Sequence, residues 1–338
     1  MARKLGQQTI VPDQSITVLS AGCAVGKKEG EGPLRQYFDH IDTDDTFGQD
    51  SWENAEIAMQ KRALSQALDK AALTAGQLDW LFAGDLLNQC VCSSFAARNL
   101  SLPFFGLYGA CSTMGEGLCL STLVLDGGGG QRAAVLSSSH FCSAERQYRT
   151  PLEYGCQRTP TAQWTVTGSG AVILSRGGTG PRITHITPGK IVDKGIRDTN
   201  NMGAAMAPAA WDTIRTHLND TGRAPGFYDL IVTGDLGRLG SELLKELARR
   251  DGVTLDRHTD CGLLIFEPNS QDVHCGGSGC GCSAAVFPGY LLTGLTEGRW
   301  KNLLFCPTGA LHSPVATAQG ESIPGICHAV ALTAPEGT

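Results

Sequence analysis

The chain has 338 residues, 43 of them glycine and 13 cysteine, and 27 basic against 33 acidic side chains give a formal charge of −6. That length makes two ordinary domains or one large α/β unit, able to bury about three quarters of its unfolded surface without a metal or disulfide staple. The acidic balance and the lack of a long Lys/Arg cluster argue against nucleic acid or an anionic membrane as direct partner.

No apolar run reaches the roughly 18 to 20 residues that cross a bilayer, and residues 1–8 carry two cations with no apolar stretch behind them, so a soluble chain without a signal peptide is expected. The cysteine count is odd, and Cys119, Cys142, Cys306 and Cys327 sit among small or aliphatic neighbours, which fits a reducing compartment. The pairs Cys90-Val91-Cys92 and Cys280-Gly281-Cys282 lack the two-residue spacing and second knuckle of a zinc site. No metal is expected.

Along the chain, Trp52, Ala55, Met59, Ala63 and Ala67 recur at helical spacing and predict a first long helix. A buried strand follows, Trp80-Leu81-Phe82-Ala83, ending in Gly84-Asp85-Leu86. The small-residue turn Gly109-Ala110-Cys111-Ser112-Thr113 then opens a helix to Asp126, and a strand begins at Arg132. After a glycine-rich connection at 177–181 the order repeats. Ala209, Ala210, Ile214 and Leu218 mark a helix, and Leu230-Ile231-Val232-Thr233 a strand ending in Gly234-Asp235-Leu236. Residues 276–282 form a second small-residue turn, followed by a helix to about Glu297 and a strand from Asn302 to Cys306. One matched segment is cheap; the same order of elements twice predicts a duplication, with halves 1–178 and 179–338. Two such halves should pack as parallel sheets with helices between and outside them, and a cleft should lie at the strand carboxyl ends.

These motifs resemble the thiolase-like superfamily. The turn around Cys111 is similar to its nucleophile turn, and the strand through Gly168-Ser169-Gly170-Ala171 is similar to the one that closes the first half of ketoacyl synthases. Longer strings resemble one branch, the stage V sporulation protein AD (SpoVAD) family of endospore formers: Gly84-Asp85-Leu86-Leu87-Asn88-Gln89, Ser138-Ser139-His140 with Ala144-Glu145-Arg146-Gln147, Met206-Ala207-Pro208-Ala209-Ala210, Asp260-Cys261-Gly262-Leu263-Leu264-Ile265 and Gly276-Gly277-Ser278-Gly279-Cys280. The resemblance runs from about residue 7 to residue 330. It implies an α/β thiolase-like fold of duplicated βαβαβαββ halves in α/β/α/β/α layers, and a homodimer. It also implies a chain that binds dipicolinic acid without turning it over, alongside the SpoVA membrane proteins that move dipicolinate into the spore and release it on germination. Synthesis in the forespore and a peripheral place at the spore inner membrane, held by partners, follow from the same resemblance.

The residues carry chemistry of their own. Cys111, between a tight turn and a helix start, would have its thiolate favoured by the helix terminus, or would be a buried thiol that merely fits the turn. Condensing enzymes of the superfamily add a His and an Asn, or two His, from the second half; here the first slot reads Gly234-Asp235-Leu236 and the second falls within 279–282, which offers glycine and thiols. An aspartate there disfavours the thiolate and donates nothing to an oxyanion. A non-catalytic binder is therefore expected, with a Cys111-dependent acyltransferase as the alternative.

Dipicolinate is a planar dianion, so donors are sought. The backbone at Cys111 and Ser112 and at Gly277, Ser278, Gly279 and Cys280 supplies N–H groups. Arg146 and Arg149 would add bidentate contacts, or form a solvated surface pair. His140 would donate, or cap a strand end. Asp85, Asn88 and Asp235 are expected to shape the cleft, the two acids by holding turn N–H groups unless Ca2+ accompanies the ligand. No further cofactor is expected, and His312 and His328 read as packed or surface residues.

Overall fold

The computed structural model describes residues 2–148 and 158–335. Ten strands cross its main sheet. In the first half they are β1 (Ile16–Val25), β2 (Trp80–Gly84), β3 (Phe104–Gly106), β4 (Arg132–Ser139) and β5 (Gly168–Arg176). In the second they are β6 (Arg182–Thr187), β7 (Leu230–Thr233), β8 (His258–Asp260), β9 (Asn302–Cys306) and β10 (Ala329–Thr333). The spatial order is β3-β2-β4-β5-β1 in one and β8-β7-β9-β10-β6 in the other, which is one topology used twice.

Strand directions repeat as well. β2 is parallel to β3 and β4, whereas β5 is antiparallel to β4 and β1. The second half copies this with β7 against β8 and β9, and β10 against β9 and β6. The sheets are thus mixed, and the parallel expectation is corrected. A strand buried on both faces is a continuous apolar run whichever way it points, so its direction is not written in its pattern. The two sheets join through a short antiparallel contact, Thr17 with Arg182 and Ile16 with Ile183.

Alternating side chains sort into layers. Val135, Val172 and Leu174 of the first sheet and Val232, Leu303, Phe305 and Val330 of the second face a shared central core. Between the sheets run α3 (Thr113–Asp126), through Met114, Leu118 and Leu125, and α7 (Cys280–Val286), which continues as helix through Phe287 and Leu295. Each large apolar side chain buried there contributes about 1.5–3 kcal/mol. Ala134, Leu136, Ala171 and Ile173 face outward, under α1 (Trp52–Lys70) with its Met59, Ala63 and Ala67. Ile231, Leu304 and Ala331 do the same under α5 (Met202–Thr221). The smaller helices are α2 (Val91–Ala97), α4 (Phe141–Tyr148) and α6 (Gly237–Arg250). The layering is α/β/α/β/α.

Local chemistry fixes the ends and spacings. Ser51 caps α1 by accepting the Asn54 N–H at 3.2 Å. Gly170 lets β5 lie against α7, since a Cβ there would come within 1.7 Å of the Ala284 carbonyl oxygen. Among the described residues no helix is long and apolar enough to cross a membrane.

Candidate functional site

The starts of α3 and α7 meet at a cavity of about 610 Å3. Cys111, Asn88, Asp235, Ser278 and Gly279 line it. Its outer wall comes from Tyr108, Tyr148, Asn200, Met206 and His312, none of which the sequence reading placed in the site, and His312 is thus neither a packed core residue nor a plain surface one.

Cys111 is held by what surrounds its turn. Ala110 sits at φ +50°, a conformation that costs a non-glycine residue about 1 kcal/mol or more. The Cys280 thiol donates to the Ala110 carbonyl at 3.0 Å, and Ser112 Oγ donates to the Gly109 carbonyl at 2.6 Å. Gly309 packs flush against the same turn, where a Cβ would lie 2.7 Å from the Gly109 oxygen. Cys280, Ser112 and Gly277 therefore stand behind the cavity wall as supports.

Asp235, fully buried, faces the thiol from the second half. Its Oδ1 accepts Thr308 Oγ1 at 2.8 Å, and its Oδ2 accepts Ser278 Oγ at 2.9 Å and the Gly279 N–H at 3.1 Å. Burial raises its pKa against those donors. Burial, then the charge of Asp235, pushes the Cys111 thiol well above its ordinary value. The helix start does not prevail over burial and the Asp235 charge, a setting that suits the buried-thiol reading of Cys111 over the helix-favoured thiolate.

Asp85, the twin of Asp235, lies behind the wall. Its carboxylate accepts the Leu87 N–H at 2.9 Å, the Ser93 N–H at 2.8 Å and Ser93 Oγ at 2.7 Å. Beside it Glu56 accepts Ser138 Oγ at 2.7 Å and Ser143 Oγ at 2.9 Å. Ligand atoms of Glu56, Asp85 and Cys92 lie within 4.8 Å of one another, all buried. Each of the four carboxylate oxygens already holds a donor, and burial followed by the charge of Asp85 raises Glu56 to about 7. Burial raises the Asp85 carboxyl as well.

The two donors expected from the α4 region are elsewhere. Ala144, Glu145 and Tyr148 face the cavity, which at 3.6 residues per turn sends Arg146 to the opposite side, where it pairs with Glu53. His140 is buried, its Nε2 on the Asp45 carbonyl at 2.8 Å and its Nδ1 accepting the Cys142 N–H at 3.1 Å, and burial lowers its pKa. Arg149 lies outside the described residues. Among the described residues no lysine or arginine lines the cavity, whose ionisable groups include Glu145, Asp235 and His312. Its polar surface is largely neutral: Tyr148 Oη donates to the Leu86 carbonyl at 2.5 Å, Tyr108 Oη to Asn88 Oδ1 at 3.1 Å, and Gln163 Nε2 to the Asp235 carbonyl at 2.7 Å.

The duplicated five-layer architecture is a thiolase-like fold, here with an aspartate facing the cysteine at the start of the buried helix. Solved structures agree on the fold. A 3-oxoacyl-[acyl-carrier-protein] synthase III from Aquifex aeolicus VF5 superposes with a TM-score of 0.57 at 14% identity, covering 94% of this chain and 99% of that one. Cerulenin-bound OleA from Xanthomonas campestris gives 0.60 at 15% identity, covering 95% and 97%. The sequence profile of the stage V sporulation protein AD (SpoVAD) family matches residues 6–333, and the Bacillus subtilis (strain 168) stage V sporulation protein AD is 46% identical over 326 residues, 96% of each chain. The chain belongs to the stage V sporulation protein AD family.

Proposed function

We propose that this chain is a dipicolinate-binding, non-catalytic subunit that works with SpoVA membrane proteins in filling the spore and in its release on germination. The observation that carries the reading is the roomy cavity over Cys111, whose thiol faces an aspartate and not an imidazole. Asp235 occupies the position where the resemblance expects an imidazole, and its oxygens are committed to Ser278, Gly279 and Thr308. A site that binds without reacting needs shape and donors: the rings of Tyr108 and Tyr148 wall a space large enough for a planar aromatic diacid, and Asn200 and His312 line it as polar groups. Their near-neutral setting, with Glu145 on the wall, favours the ligand in charge-compensated form, as its calcium salt. The subunit reaches the forespore side of the inner membrane through its partners, and works as a homodimer.

Thermal unfolding with dipicolinate, alone and with equimolar calcium, each read against a control with the same calcium and no dipicolinate, tests this. A ligand that binds the native state alone raises the midpoint, and the calcium salt should raise it more. No shift with either form overturns the reading. The acyltransferase alternative predicts an acyl adduct in intact-mass spectra after incubation with acyl-CoA, lost in Cys111→Ala; a protonated Cys111 predicts none.

A further inference from the structure

Outside the cavity, three aspartates, Asp42, Asp44 and Asp45, crowd a loop beside the turn that leaves β1. Beneath that turn lies Glu29, 1% exposed. Its Oε1 accepts the Thr167 N–H at 3.0 Å, whereas its buried Oε2 has no hydrogen-bond partner. That oxygen faces Gly26, where a Cβ would lie 3.2 Å from Glu29 Oε2 and 2.7 Å from Asp45 Oδ1. Two carboxylate oxygens from separate segments thus flank one gap, which glycine leaves open and which reaches solvent past the exposed Asp45. The neighbouring cation is directed elsewhere: Lys28 Nζ bonds the Gln271 carbonyl and lies 4.2 Å from the Trp164 ring centre. Burial, with the charge of Asp45 adding to it, lifts Glu29 to about 8. Unless a counter-ion is present, Glu29 carries a proton at neutral pH with no acceptor for it.

We propose that Glu29 Oε2 and Asp45 Oδ1 hold a hard divalent cation, calcium or magnesium, whose remaining positions are filled by water. Carboxylate oxygens are the ligands such ions take, and two suffice where water can complete the shell. The ion would act on the cavity from outside. Thr167 Oγ1 accepts the N–H of Phe141, the first residue of α4, at 3.1 Å, and His140 Nε2 meets the Asp45 carbonyl. Bridging Glu29 and Asp45 fixes the base of the helix that carries Glu145 and Tyr148 into the cavity wall. The site does not depend on which ligand the cavity takes.

Terbium is the probe, because Trp52, with its ring 5.4 Å from that of His140, is a nearby sensitiser. The full chain, freed of metal by chelator, should give saturable terbium emission that excess calcium displaces, and Glu29→Gln and Asp45→Asn should each titrate about tenfold or more weaker. Calcium or magnesium well above its dissociation constant should raise the wild-type midpoint by about 2 °C or more and leave Glu29→Gln unmoved. Glutamine mimics the protonated acid, so that variant keeps its fold in chelator; Asp45 is exposed, so its substitution tests the site independently. A wild type with no saturable emission, or two variants that titrate like it, overturns the proposal.

Discussion

Ser278 Oγ donates to Asp235 Oδ2 at 2.9 Å, tying the acid that stands where the resemblance expects a histidine to the residue just before the second slot, 279–282. One acid and one hydroxyl are locked to each other there, and Cys111 faces the acid. An anion beside Cys111 disfavours its thiolate and has no proton to donate to an oxyanion.

Asp235→Asn removes the anion that holds the Cys111 proton. The thiol should become more acidic, and iodoacetamide labelling of Cys111 at pH 7.5, followed by peptide mass spectrometry, should quicken about tenfold for each unit by which its pKa falls. The same change strands donors from Ser278, Gly279 or Thr308, at about 1–3 kcal/mol of stability. Unchanged labelling would show that Asp235 does not set the thiol's state.

The Glu56–Asp85 pair makes stability depend on pH with a definite sign. Glu56 titrates near 7 in the folded chain and near the ordinary carboxylate value when unfolded, so its protonated form favours folding. That contribution is complete below the unfolded pKa and is lost as pH rises through 7, with a slope of up to about 1.4 kcal/mol per pH unit. The unfolding midpoint should fall between about pH 5 and pH 8, and Glu56→Gln should flatten the fall. A profile identical in the variant would show that Glu56 does not carry this dependence.

Phe105 is 48% exposed on β3, the open edge of the first sheet, with Phe95 of α2 exposed nearby. An apolar edge strand invites pairing with a second copy. Light scattering after size exclusion should give a dimer for the wild type and a monomer for Phe105→Asp, with the far-ultraviolet spectrum unchanged. A wild-type monomer at tens of micromolar would rule out this edge as the interface.

Arg146 turns from the cavity to Glu53, so Arg146→Ala should leave ligand affinity within about twofold, the effect of losing an exposed ion pair. A tenfold loss in a titration would return Arg146 to the site.

Much of the fold was legible in the residues. The two Gly-Asp-Leu strand ends mark equivalent places in two sheets of one topology, and the cysteine turn begins the buried helix where its small residues require it. Strand direction was not, because Ala171 to Leu174 are buried on both faces and read alike either way. The outer wall was hidden for another reason: Asn200 and His312 lie on irregular segments with no periodicity, and the fold alone brings them to Tyr148. Arg146 shows the cost of reading charge without helix phase. Its neighbour Glu145 and not Arg146 reaches the cavity, and one position along a helix turns a side chain by about 100°.

The central claim is that the cavity over Cys111 binds dipicolinate and does not process it. Isothermal titration of calcium dipicolinate into the wild type and into Ser278→Trp, which fills the cavity floor, both already saturated with calcium, tests it most directly. Saturable one-to-one binding by the wild type, absent in the folded variant, with the ligand recovered unchanged, is the result the account predicts. Equal heats in both proteins, or none in the wild type, would contradict it.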